Sequence, residues 1–325
     1  MIRILINTGI GVGLILIWAK FTNLPEVLNI LKTTEIKFTF LFIFFFALST
    51  LIRSFRLNML LGKHKLPFKD VAMLNFLSQF LSFAIPIRAG EVTKGVYLTT
   101  QLDVSLSKAI IWVFADRFID FWAVLLLIST LIWLLPTNLP VNLTQIIPVL
   151  FVILTIAATF AIKSRLFAQK VATFLSHLLV IDSIKRRFVS VAHNIIDGLE
   201  VLDLPAKTLF ALVILTVLAF ISDGFIWFFV FSALGFNLGI IQGVLGNALA
   251  ALTFLIPAAP GFVGSTEASG LAVFGGILGV DANLASAASV LFHILVAASL
   301  VGFGVTSIYL LKFDLRLVWK KIRGQ

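Results

Sequence analysis

The sequence predicts an all-α, polytopic membrane protein with six transmembrane helices and two re-entrant helical hairpins arranged as an inverted repeat. Three observations lead there. Of the 325 residues 60% are hydrophobic, only 12% are charged and 33 are Phe, more apolar surface than a soluble domain can hide. The apolar residues run in long blocks, the pattern of spanning helices rather than of alternating strands. Two of these blocks are broken by Pro and Gly next to a glutamate, once in each half of the chain.

In chain order, the first span is Ile4 to Ala19. Arg3 before a short apolar run has the look of a secretory signal, but Ile17, Trp18 and Ala19 make a poor small-residue cleavage site, so a retained span is expected. The second span is Phe38 to Ile52. Both fall short of the roughly 20 residues of a full crossing, so flanking Lys and Arg must snorkel or the helices must run past these limits. The remaining spans are Ala109 to Leu135, Ile146 to Ile162, Thr208 to Leu234 and Leu284 to Leu311. There is no cysteine, hence no disulfide and no thiolate ligand; with no metal-ligand spacing either, neither metal nor cofactor is expected.

Positive charge sets the orientation. Arg53, Arg56, Lys63, Lys65 and Lys69 follow the second span; Lys163, Arg165, Lys170, Lys185, Arg186, Arg187 and Lys207 lie in the long connector, and the tail adds five more. Thr137 to Gln145 and Gly235 to Asn283 contain no Lys or Arg. The positive-inside bias predicts cytoplasmic termini and a plasma (cytoplasmic) membrane location. The net charge of +10 is then a juxtamembrane feature that meets anionic phospholipid headgroups. It is spread over several loops with no nucleic-acid-binding motif, so no nucleic-acid partner is expected. Homo-oligomerisation is left open.

With Lys69 and Lys108 on the same side, Val71 to Ser107 must enter the membrane and return. Leu74 to Ile85 is too apolar to stay out and too short to cross. A re-entrant hairpin over about 74–99 follows, broken at Pro86 and Gly90, with its non-helical backbone shielded by protein or water. The second half repeats the device: "FAIP" at Phe83 to Pro86 recurs as "FLIP" at Phe254 to Pro257, followed by Pro260, Gly261, Gly264 and Glu267 in a hairpin over about 243–279. Asp103, Leu106 and Phe114 line up with Asp281, Leu284 and Phe292 at an offset of 178. Three crossings separate the hairpins, so the second enters from outside. Two membrane halves result, 1–135 and 146–311, the second containing an amphipathic connector at 163–207, with a cytoplasmic tail at 312–325. Paired broken helices in inverted halves mark midplane substrate sites of transporters.

The motifs "IPIRAGEVTKGVYL", "ADRFIDF" and "IPAAPGFVGSTEA", in that order, resemble the membrane region of the lysylphosphatidylglycerol synthase/flippase family from about Arg53 through the last span. The resemblance implies a lipid-translocating role. Asp116 stands where the family commonly has Glu, and Phe262 where a second Gly usually follows Pro-Gly. Only fourteen residues follow Leu311, so the soluble aminoacyl-transferring domain is absent and no synthase activity, or other enzyme activity, is expected.

Arg88, Glu91 and Lys94 recur every three residues and form one helical stripe. They read either as an internal ladder that holds the hairpin, or as a headgroup site in which Arg88 and Lys94 bind phosphate and Glu91 orients them. Asp116 and Asp120 share a helix face beside Arg117; pairing of Arg117 with Asp120, or of Asp116 with a hairpin cation, would relieve their repulsion. Glu267 completes the expected substrate-binding set. Pathway candidates are Asp223, isolated among Phe and Trp, His293, read first as a hydrogen-bonded core residue, and Arg53 and Arg56, expected at interfacial phosphates. Arg88, Lys94 and Arg117 against Glu91, Asp116, Asp120, Asp223 and Glu267 leave a formal balance of minus two, which protonation could offset while coupling transport to a proton gradient.

Three functions fit: translocation of a phosphate-bearing lipid through a groove formed by the hairpins, secondary transport of a small polar solute, and an accessory role in lipid-linked glycosylation. The last is disfavoured by the lack of any nucleophile motif or catalytic soluble domain.

Overall fold

The computed structural model describes residues 2–85, 89–179, 182–199, 203–253 and 259–312. Their regular structure is all helical, joined by short turns and loops, with no strand among them. Helix α1 (Ile2–Lys20) turns by 87° into α2 (Leu24–Lys32). Asn23 caps α2 by accepting from the Glu26 N–H, and Pro25 occupies its first turn, the usual start chemistry of a helix. The sequence reading did not foresee α2. It is tied across the start of the last helix, where Asn283 Nδ2 donates to Glu26 and the Asn23 N–H donates to Asn283 Oδ1.

Helix α3 (Lys37–Leu60) continues well past Ile52, where the sequence placed its end. Arg53 and Arg56, read there as loop charges, lie inside the helix because carboxylates on neighbouring helices neutralise them. Next come α4 (Phe68–Ala84), α5 (Ala89–Leu102) and α6 (Leu106–Leu131), then α7 (Val141–Lys163), α8 (Arg165–Ser176), α9 (Asp182–Leu199) and α10 (Ala206–Ala233). The chain ends in α11 (Ile240–Thr253), a 3-10 turn (Pro260–Phe262), α12 (Ser265–Gly270), a π-helical stretch (Leu271–Ile277) and α13 (Ala282–Leu311).

Four helices, α3, α7, α10 and α13, are long and apolar enough to cross a membrane; the bent α1–α2 pair makes a fifth if it counts as one span. Six were expected. With the bent pair counted as one span, the difference is α6, which is 26 residues long but carries Lys108, Asp116, Arg117 and Asp120 in its first fifteen. Outward faces are greasy, as lipid contact requires: Val149, Val152, Ile153, Ile156 and Phe160 of α7 are exposed. Inside, aromatic rings fill the bundle; Trp227 stacks on Phe292 with centroids 4.2 Å apart, and Phe76 on Phe303 at 4.5 Å.

Helix ends fall beside both sequence breaks: α4 stops at Ala84 and α5 starts at Ala89, and α11 stops at Thr253 and α12 starts at Ser265. α4 ends as Ile85 turns to extended backbone (φ −122°), the conformation a following proline imposes. α5 returns against α4 so closely that a Cβ on Gly90 would lie 1.9 Å from the Ser78 carbonyl oxygen. Pro86, Arg88 and Pro257 lie outside the described residues. In the second pair the Thr253 hydroxyl donates to Ser269 across the break, and Gly261 and Gly264 take left-handed φ values of 69° and 83°.

Packing repeats between the halves. α4 packs on α3 and on α13; correspondingly α11 packs on α10 and on α6. α5 leads onto α6 as α12 leads onto α13. The register of the repeat differs from the 178 read from sequence: the N-caps Ser105 and Asp281, and the left-handed residues Asp103 and Gly279, are 176 apart. Before the breaks the spacing is 171, from Phe83 to Phe254. The second break thus holds five more residues, and a single offset cannot describe both sides of it.

The connector forms two amphipathic helices, as expected. α8 and α9 pack on each other, with Arg165 Nη2 2.7 Å from Asp197, and leave Phe167, Phe174, Ile184 and Phe188 exposed.

Candidate functional site: an ionic cluster and a histidine–glutamate pair

Eight charged residues inside the bundle, on α3, α5, α6 and α10, gather in one cluster because helical spacing aligns them. On α3, Ser49, Arg53 and Arg56 fall at intervals of four and three residues and face inward together. On α6, Asp116 and Asp120 do the same. Arg56 is 0% exposed; its guanidinium donates to Asp116 Oδ1 (2.6 Å), Asp120 Oδ1 (2.5 Å) and the Thr216 hydroxyl of α10 (3.0 Å). Arg53 reaches Asp223 Oδ2 at 2.6 Å and also contacts Ser49. Asn247 of α11 donates to the same Asp223 oxygen at 3.5 Å.

The first hairpin joins from the other side. Lys94, nearly fully buried, lies 3.4 Å from Asp116 Oδ2. Arg117 bridges to Glu91 (3.1 Å), Asp120 (3.3 Å) and Asp116 (3.5 Å). Both contacts that would relieve the Asp116–Asp120 repulsion are therefore present, and Arg56 adds a third. Exposure is graded: Arg56 0%, Lys94 2%, Glu91 27%, Arg117 45%. The cluster has a sealed interior around Arg56 and Lys94, a partly exposed end at Arg53 (19%) and Asp223 (16%), and its most open edge at the Glu91–Arg117 pair.

Several sequence expectations change. Arg53 and Arg56 do not sit at interfacial phosphates; they are the cationic core of the cluster. Asp223 is not isolated, since Arg53 holds it. Glu91 pairs with Arg117 rather than with its stripe neighbour Lys94, and Arg88 lies outside the described residues. The balance changes too: Arg53, Arg56, Lys94 and Arg117 face Glu91, Asp116, Asp120 and Asp223, four against four. Among the described residues the cluster is formally neutral, with no surplus carboxylate. Such desolvated networks hold together only when every charge is met.

Polar supports that the sequence reading missed are Ser49, Thr216, Asn247, Asn75 and Gln79. Asn75 donates to Ser54 (2.8 Å) and Gln79 to Thr50 (3.2 Å). The available signal was Asn75 and Gln79 four residues apart in an oily helix, a spacing that gives one polar face.

Glu267 is not part of this cluster. It pairs with His293 of α13: Nδ1 lies 2.5 Å from Glu267 Oε1, and Nε2 lies 2.6 Å from the Gly261 carbonyl oxygen. The other carboxylate oxygen accepts from the Gly264 N–H at 2.8 Å. His293 is thus hydrogen-bonded in the interior, and it binds the second break to the last helix. The breaks meet here: the Phe83 ring, at the end of α4, lies edge-on to His293 (5.9 Å) and 6.1 Å from Phe262. Phe262 itself has φ 55°, a left-handed conformation that suits glycine. Behind them Gly264 touches α1, where an added Cβ would lie 2.2 Å from the Gly11 carbonyl oxygen.

The register of 176 links the two sites. Glu91 corresponds to Glu267 and Arg117 to His293, and each carboxylate contacts its own partner. One ion-pair position occurs twice, with a permanent cation in the first half and a titratable one in the second.

Over residues 4–304 the chain matches the family model described as the lysylphosphatidylglycerol synthase TM region. It is also 23% identical over 239 residues to a UPF0104 membrane protein of Methanocaldococcus jannaschii, covering 72% of this chain and 94% of that protein.

Proposed function

Since the chain belongs to the lysylphosphatidylglycerol synthase transmembrane-region family, we propose that it is a flippase-like transporter that moves a phosphate-bearing lipid between leaflets. The path is a groove between the two hairpins, which dip into the bilayer from opposite faces, and no bond in the lipid is made or broken. The observation that carries this reading is the most open edge of a largely buried ionic cluster, where Arg117 is 45% exposed and held by Glu91 of the first hairpin.

Each described cation of the cluster already has a carboxylate partner, so an anion enters by exchange. The headgroup phosphate takes the place of Glu91 on the Arg117 guanidinium, whose planar fork suits two phosphate oxygens. Glu91 is then free, and α5 loses its tie to α6 at that point. Arg56 and Lys94 keep Asp116 and Asp120 in position meanwhile, so the site does not collapse when the edge opens. Acyl or prenyl tails remain in the bilayer throughout, against the exposed apolar helix faces. Lys185, Arg186 and Arg187 of α9 meet anionic headgroups on the cytoplasmic side, and both termini lie in the cytoplasm of a plasma-membrane protein.

The test is lipid scrambling in proteoliposomes with a fluorescent phospholipid. Glu91→Ala and Arg117→Ala are expected to abolish flipping while the protein still runs as a single species on size exclusion. Wild-type flipping in both variants would refute the proposal; uptake of a water-soluble phosphate compound without lipid movement would favour the small-solute transporter instead.

A further inference from the structure

We propose that Glu267 and His293 form a proton-binding site that latches the break of the second hairpin to the last helix. The Gly261 carbonyl oxygen, 2.6 Å from His293 Nε2, can only accept. Glu267 Oε1, 2.5 Å from Nδ1, accepts whenever the carboxylate is ionised. A neutral imidazole carries one N–H and cannot serve both. The observed geometry therefore holds one proton more than a neutral histidine beside an ionised glutamate. It is either an imidazolium donating to both oxygens, or a protonated Glu267 donating to Nδ1 while Nε2–H donates to Gly261.

Loss of that proton to water has a defined consequence. The remaining N–H stays with the charged carboxylate, and Nε2 then presents a lone pair to the Gly261 carbonyl. A hydrogen bond becomes a repulsion between two acceptors at the one turn where Gly261 and Phe262 are successively left-handed. The break is released from α13, and with it the Phe83 contact to the first hairpin loosens. In the other half the corresponding pair is Glu91 with Arg117, which stays charged at any physiological pH. The same carboxylate position is locked by a permanent cation in one half and by a removable proton in the other.

No other described charge faces the pair. α11 and the π-helical stretch carry none. Arg53, Arg56 and Asp223 are committed to the ionic cluster, Asn283 holds Glu26, and Lys37 pairs with Glu35. Lys69 and Asp70 lie at the opposite end of α4 from Phe83, and Lys20, Lys32 and Lys207 are exposed at helix ends.

Hydrogen–deuterium exchange of the protein in nanodiscs tests this without reference to any transported molecule, so it can fail while the lipid reading stands. After correction for the intrinsic pH dependence of exchange, amides of Gly261 to Gly270 should lose protection by about tenfold as pH rises from about 5 to about 10, the scale of one hydrogen bond turned unfavourable. Glu267→Gln, whose amide can donate to Nδ1, should stay protected across the range, and His293→Phe should stay unprotected, with the α3–α10 core unchanged as a folding control. A wild-type profile flat with pH, or a wild-type pH response surviving in His293→Phe or Glu267→Gln, would overturn the proposal.

Discussion

At the scale of single residues, burial decides what each charge is worth. Arg56 is fully enclosed and makes the shortest contacts to two carboxylates, so removing it leaves Asp116 and Asp120 one cation short, with only the longer contacts to Lys94 and Arg117. Arg56→Met is expected to destabilise the protein by about 3–5 kcal/mol, read as a large drop in thermal midpoint in detergent. Arg117→Met at the half-exposed edge should cost far less stability, because solvent screens what is left behind. If both variants melt alike, the graded cluster is wrong. Phe262 offers a converse case. Its left-handed backbone costs about 1–2 kcal/mol for a residue with a Cβ, yet its ring contacts Phe83. Phe262→Gly should leave the thermal midpoint near the wild-type value while raising the exchange rate of the break, because strain relief offsets the lost aromatic contact but nothing replaces the bridge.

At the scale of elements, glycine fixes how closely helices approach. A methyl group at Gly264 would strike the α1 backbone at Gly11, and Gly264 is also left-handed, so Gly264→Ala meets both objections at once. It is expected to lift α1 from the second hairpin and destabilise by several times the roughly 1 kcal/mol of an ordinary helix glycine replacement. Cysteine cross-linking between α1 and the 3-10 turn should drop in that variant; an unchanged yield would show that α1 does not brace the break. Gly276, whose Cβ would meet nothing within 4 Å, is the control that should tolerate alanine.

For the whole molecule, the exchanged packing of α4 on α13 and α11 on α6 ties the halves together through their hairpins. If these enter from opposite faces, a single cysteine at Ile85 and another at Val263 should be labelled from opposite sides by an impermeant thiol reagent in oriented vesicles. Labelling of both from one side would refute the inverted arrangement.

Much of this was legible in the chain. Long apolar blocks mark α3, α7, α10 and α13, and Pro86 with Gly90, and Pro260 with Gly261 and Gly264, mark where helices must stop. These follow from local rules, the membrane's demand for satisfied backbone and the geometry of two special residues, so sequence alone determined them. Partnership was decided only by the fold. Arg53 and Arg56 look like the basic end of a span until α6 and α10 supply Asp116, Asp120 and Asp223 from 60 to 170 positions away. Likewise His293 and Glu267 are 26 residues apart, and nothing local says that they touch. A charge in an apolar environment is defined by what neutralises it, and that neighbour is chosen by the packing of helices distant in sequence.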